Sequence, residues 1–172
     1  MKDYFIDLHC HPSLKPFGKS FNKADRKRKN STNRKRNNSI WHRKSPSLLR
    51  KVVNIFTSLT KFTQADFTTV TTGKGRVLMA SLYPMEKGMM TDENGVHLSG
   101  TILRNLATGI GLKRIQYLQE MDDYFTDLEA EYNYFEQKNE VIVTVDRKKC
   151  RYKLVRNFDE MVMDNSQGIE TI

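Results

Sequence analysis

YFIDLHCHP, residues 4–12, is an apolar run of β-favouring residues that ends abruptly in two histidines and a proline. Pro12 has no N–H to give to a ladder and pushes His11 towards extended geometry, so a strand over residues 3–11 must stop there. Side chains alternate between the faces of a strand, which puts His9 and His11 on one face with Asp7, and Leu8 and Cys10 on the other. Neutral imidazole is the commonest side-chain ligand for Zn²⁺ at neutral pH, and two at one strand end make half of a zinc site. His9 and His11 are therefore the candidate metal ligands, with Asp7 placed to orient one of them from behind. The plainer reading of the same residues is a histidine pair that caps a strand and hydrogen-bonds to loops. Cys10, facing away, reads as a small core residue rather than a ligand or nucleophile.

Beyond the histidines the chain changes character. Residues 22–39 are rich in Lys, Arg, Asn and Ser and contain one apolar residue, Ala24. They cannot bury enough surface to offset their ordering entropy, and they read as the centre of a mobile basic loop over 19–44. Ser45-Pro46 resembles a cap followed by proline at the first helical position. Leu48, Leu49, Val52, Val53, Ile55, Phe56 and Leu59 then form the apolar stripe of a helix over 46–60. Gly73-Lys74-Gly75 signals a turn into RVLMASLY, residues 76–83, whose unbroken apolarity suits a strand covered on both faces, as in a parallel sheet between helices. Helices follow over 98–137. One spans 98–106, and a longer pattern over 112–137 sets Ile115, Leu118, Met121, Tyr124, Phe125, Leu128 and Tyr132 near one face. Residues 141–145 and 152–155, separated by the polar 146–149, read as a hairpin within 141–156. Residues 157–163 read as a further helical turn, and residues 166–172 as the approach to another strand.

The 172 residues carry 29 Lys/Arg and 20 Asp/Glu, a formal +9, with 38% hydrophobic residues, enough to build a core. Taken whole, +9 points to nucleic acid or an anionic surface. Taken by segment it does not: residues 15–51 hold 14 Lys/Arg against the single acid Asp25, a local +13, while the remainder is a net −4. A mildly acidic body thus carries one basic insert. The insert's densest part has no aromatic interleaving and no recognition fold around it, so a nucleic-acid-binding module using residues 15–51, with Trp41 as a stacking aromatic, is the competing reading. No apolar run reaches the roughly 18–20 residues of a membrane span, and the N-terminus lacks the layout of a secretory signal. Cys10 and Cys150 make neither a disulfide framework nor a CxxC pair. The expectation is a soluble, cytoplasmic chain with reduced thiols, no membrane span and no specific nucleic-acid partner, free to form oligomers.

Taken together, YFIDLHCHPSLKPFG at 4–18, FTQADF at 62–67, RVLMASLYPMEKG at 76–88, GLKRIQYLQEMDDYF at 111–125 and VIVTVDRKKCRYKLVRNFDEM at 141–161 mark a family. They resemble the N-terminal part of the bacterial metal-dependent hydrolases of the membrane (renal) dipeptidase family, within the wider amidohydrolase-like barrels. The resemblance covers essentially the whole chain apart from the basic insert, and its diagnostic residues lie in the first strand. It implies an α/β fold: the N-terminal portion of a (β/α)₈ TIM barrel, incomplete, carrying a basic disordered loop and an inserted β-hairpin. It also implies one or two zinc ions at the C-terminal ends of the strands. By position His9 and His11 match the first-strand metal ligands, and a bridging carboxylate and further histidines would come from strands beyond residue 172. The implied chemistry is hydrolysis of an amide bond in a small peptide-like substrate, with water activated by a Lewis-acidic ion and a carboxylate taking protons in turn.

The chain departs from the family in one respect. Many of these dipeptidases carry His-x-Asp where this chain has His-x-His, the pattern of the broader group, which bears on the dipeptide substrate more than on the metal. His42 and His97 read as solvated loop residues, and Glu86, which follows the end of the second strand, reads as a surface residue with lining of the pocket as its alternative. A TIM barrel takes about 250 residues and seldom fewer than about 200. The 172 residues are therefore expected to be part of a longer hydrolase and inactive on their own. A small α/β protein without metal is the remaining alternative.

Overall fold

The structure is a computed structural model of the chain, and it describes residues 4–22, 29–43, 48, 51, 52, 55, 65–91, 97–161 and 168–172. β1 (Phe5–Cys10) turns at Pro12-Ser13 into a short helix, α1 (Leu14–Lys19), which buries Pro16, Phe17 and Gly18. α2 (Phe67–Thr72) leads through Gly73-Lys74 into β2 (Gly75–Ala80). The start of α2 is set by Asp66, whose carboxylate accepts the Thr69 backbone N–H and the Thr69 hydroxyl, both at 2.8 Å. β1 and β2 pair in parallel, the arrangement that the unbroken apolarity of β2 indicates. Coverage differs from the expectation. Phe5, Ile6 and Leu8 on β1 and Met79 on β2 are exposed, so this pair presents apolar side chains at its surface instead of being covered on both faces.

α3 (Lys87–Met90), α4 (Leu98–Thr108), α5 (Leu112–Glu120) and α6 (Tyr124–Glu136) follow. The single pattern read over 112–137 is two helices. Met121 is extended and Asp123 caps α6, its carboxylate accepting the N–H groups of Phe125 (3.0 Å) and Thr126 (3.1 Å) and the Thr126 hydroxyl. This break resets the helical phase. Ile115, Leu118 and Met121 are buried with Met85, Met90 and Ile110, as the stripe predicts. Past the break, Tyr124, Phe125 and Tyr132 are exposed, and α6 buries Asp127, Glu131, Tyr134 and Phe135.

β3 (Val143–Val145) and β4 (Lys148–Arg151) form the predicted hairpin around Asp146 and Arg147. Both turn residues have positive φ (46° and 69°), the two-residue turn whose twist suits a hairpin. The second strand accordingly begins at Lys148, not at residue 152. β5 (Ile169–Thr171) adds to β4 in parallel, where a further strand was expected, and Phe158–Glu160 is a single 3₁₀ turn. The class is mixed α/β: two small sheets, β1-β2 and β3-β4-β5, with six α-helices among the described residues, which do not close into a barrel. Among them no helix is long and apolar enough to cross a membrane.

The basic segment behaves differently from its composition. The described part, residues 29–43, is packed, with Asn30, Ser39, Ile40 and Trp41 buried. Asn30 accepts the Ile40 N–H (3.3 Å), gives its own N–H to the Gln137 side chain (2.8 Å) and donates its amide to the Tyr152 hydroxyl (3.3 Å). Arg34 reaches the Thr68 hydroxyl and the Thr144 carbonyl, both at 3.2 Å. Ile40 and Trp41 join Phe17, Phe67, Tyr134 and Tyr152 in the larger core. Asn and Ser side chains here satisfy backbone groups that a helix or ladder would otherwise pair, so two apolar anchors suffice to order a polar loop. Of the helix expected over 46–60, Leu48, Lys51, Val52 and Ile55 are helical and exposed, and the rest lies outside the described residues, as does the basic run 23–28.

Candidate functional site

Because β1 and β2 are parallel, their C-terminal ends lie side by side, followed by the loops 11–13 and 81–86. The rings of His9 and His11 meet there edge to face, centroids 4.9 Å apart at 88°. Both use Nδ1 on the same residue of the neighbouring strand end. His11 Nδ1 lies 3.0 Å from the Ser81 carbonyl oxygen, and His9 Nδ1 lies 3.0 Å from the Ser81 hydroxyl. A carbonyl only accepts, so the neutral His11 ring carries its proton on Nδ1 and has its lone pair on Nε2. A metal-ligating histidine characteristically donates its other ring N–H to just such a partner. His11 also packs against the Tyr83 ring, centroids 5.5 Å apart.

Asp7 does not stand behind the histidines. β1 carries one extra residue between Asp7, in register with Leu78, and Cys10, in register with Ala80 two positions further along β2. This bulge interrupts the alternation on which placing Asp7 behind the imidazoles depended. The Asp7 carboxylate accepts the His9 backbone N–H (3.0 Å) instead. Cys10 is buried with Sγ 3.8 Å from the Met79 carbonyl oxygen. Burial first, and the neighbouring Asp7 charge second, push its thiol up to about 11. Cys10 is thus a protonated core thiol at neutral pH. Cys150 is also free and buried, its thiol raised chiefly by burial.

The residue that sequence reading missed is Glu131. It is 2% exposed in the middle of α6, and its carboxylate touches both loops, accepting the Ser13 hydroxyl at 2.5 Å and the Tyr83 backbone N–H at 3.1 Å. Burial raises its pKa, opposed by these two hydrogen bonds and by Arg114. One turn earlier, Asp127 and Arg114 form a buried bidentate pair at 2.6 and 2.5 Å, with the guanidinium over the rings of Phe17, Phe21 and Tyr117. Amphipathic reading assigns acids to the solvent face, and the only trace of this arrangement in the sequence is the four-residue spacing of Asp127 and Glu131.

The remaining candidates lie in loops or at helix starts. His42 holds the Arg34 carbonyl oxygen at 2.7 Å, His97 is exposed at the start of α4, and Glu86 is exposed at the start of α3. Among the described residues no group of three or more His, Cys, Asp or Glu gathers in metal-binding geometry, so His9 and His11 make a pair without a third ligand there. Trp41, the stacking aromatic of the nucleic-acid reading, is 1% exposed and edge-on to Phe67 (5.5 Å, 82°), with no face open to a base. Compared with known proteins, the chain matches no family model, no curated protein and no solved structure.

Proposed function

We propose that the ends of β1 and β2 carry the first two ligands of a zinc centre, in a metal-dependent hydrolase that cuts amide bonds of small peptide-like substrates and is built on a (β/α)₈ barrel. The observation that carries this reading is the histidine pair itself: two touching imidazoles at the C-terminal end of a parallel strand, with His11 fixed by the Ser81 carbonyl as the Nδ1–H tautomer. Two imidazoles side by side are part of a zinc donor set and would supply two of the three or four protein ligands that such an ion takes. The ion, when bound, supplies Lewis acidity that activates water and polarises an amide carbonyl.

The chain's own residues do the rest. His9 and His11 would hold the ion through Nε2, Ser81 orients both rings, and the exposed His9 leaves the site open to a small substrate. Barrel enzymes assemble their sites at this end of their strands.

The test is zinc content by elemental mass spectrometry after equilibrium dialysis, in the unsubstituted parent chain of 172 residues and in a His9→Ala/His11→Ala double variant. The expected result is zinc retained by the parent and lost from the double variant. Equal zinc content in the two overturns the reading and leaves the histidines as a strand cap in a small α/β protein.

A further inference from the structure

We propose that Glu131 is the positioning residue that clamps the two strand ends together and thereby sets the geometry of the histidine pair, an inference that rests on reading His9 and His11 as metal ligands. The last backbone hydrogen bond between these strands runs from the Ser81 N–H to the Cys10 carbonyl (2.8 Å). Beyond it the chains continue as the loops 11–13 and 81–86. The surface-exposed Ile6, Leu8 and Met79 show that little is packed on the outside of the pair to hold it. His11 reaches back to Ser81 by one hydrogen bond through its own ring. Glu131 makes the second tie. One carboxylate oxygen accepts from Ser13, two residues after His11, and the other from the backbone of Tyr83, two residues after Ser81.

These links form a closed circuit from Glu131 to Ser13, along the chain to His11, across to Ser81, along to Tyr83 and back to Glu131. The clamp stands on a rigid support. One turn after Glu131, Tyr134 and Phe135 are buried in the larger core, and one turn before it Asp127 is locked to Arg114. A site held this way has its ligands placed by packed structure and not by loops alone.

The chemistry of the clamp separates positioning from bulk stability. A glutamine at this position can accept the Tyr83 N–H with its oxygen and donate to the Ser13 hydroxyl with its amide, so it preserves both ties without the charge. An alanine preserves neither. The experiment uses the 172-residue chain and its Glu131→Ala, Glu131→Gln and Ser13→Ala variants, all held well below their unfolding transitions. Two readouts are taken: long-range ¹H–¹⁵N spectra of the metal-free imidazoles, and Co²⁺ affinity from titration with cobalt chloride.

Glu131→Ala is expected to release His11 from the Nδ1–H tautomer and to weaken Co²⁺ binding by about tenfold or more, while Glu131→Gln stays within about threefold of the parent. Ser13→Ala should fall between them. If Glu131→Ala does not fold, Ser13→Ala against Glu131→Gln makes the same comparison. An unchanged His11 spectrum in Glu131→Ala, or in Ser13→Ala where that variant stands in, overturns the clamp whatever the metal does. Release of His11 with no Co²⁺ bound by any form, the parent included, upholds the clamp and overturns only the idea that the histidine pair of these 172 residues holds an ion by itself. A merely stabilising role would shift the unfolding midpoint and leave both readouts where they are in the parent.

Discussion

Replacing Asp127 with alanine should cost about 3–5 kcal/mol, because it leaves a buried guanidinium without its counter-charge. The side chains of Arg114 and Asp127 are 4% and 0% exposed, and their two hydrogen bonds of 2.6 and 2.5 Å are fully enclosed. With the carboxylate gone, Arg114 keeps its contacts with Phe17, Phe21 and Tyr117. Those ring contacts, worth up to about 2 kcal/mol each when desolvated, favour the cation but satisfy none of its N–H groups. A double variant, Arg114→Met with Asp127→Leu, removes both charges together and is expected to lie within about 2 kcal/mol of the parent, since a buried ion pair gains little over apolar residues of similar volume. The two single effects should therefore be coupled by more than about 1 kcal/mol.

Urea unfolding at 25 °C, followed by far-ultraviolet circular dichroism and by emission of Trp41, the single tryptophan, measures both quantities. In a chain of this length the single variant should lose roughly 6–20 °C in Tm, at about 2–4 °C per kcal/mol. A cost below about 1 kcal/mol with an unchanged m-value would refute the reasoning. So would a double variant as unstable as the single one.

Cys10, its thiol raised from 9.0 to about 11, should be alkylated by iodoacetamide about 100-fold more slowly at pH 8 than in the unfolded chain, on thiolate fraction alone. Because the folded value is the higher one, the stability it contributes is complete below pH 9 and is lost as pH rises from 9 through 11; alkylation of native protein at the unfolded rate contradicts this. Trp41→Ala should cost about 3–5 kcal/mol, and native Trp41 emission should resist acrylamide and stay unchanged when single-stranded oligonucleotide is added. Strong quenching by the oligonucleotide would return the nucleic-acid reading. Gly18→Ala would set a Cβ 2.7 Å from the Ile110 carbonyl oxygen, a backbone atom that cannot swing aside. A loss of about 1–3 kcal/mol is expected, and an unchanged urea midpoint would disprove the close approach.

What could be read from residue order is what depends on near neighbours. Pro12 ends β1 because it lacks an N–H, His9 and His11 stand close enough in the chain for their rings to meet at the strand end, and the unbroken apolarity of residues 76–83 marks a strand of a parallel pair. Ile115, Leu118 and Met121 fall inside because a helix repeats every 3.6 residues.

The failures share one cause. The bulge that breaks the alternation between Asp7 and Cys10 depends on how β1 meets β2, and the cap at Asp123 changed which face of α6 is buried. Residues 29–43 are ordered by Trp41 entering a core made by α1, α2, α6 and the hairpin, which no local composition records. Glu131 meets Ser13 across 118 positions of sequence. Such a contact exists only after helices and strands have packed, when burial makes a satisfied carboxylate possible and an unsatisfied one prohibitive. The chain by itself determined the class and the histidine pair, and only the tertiary structure decided what stands around that pair and holds it in place.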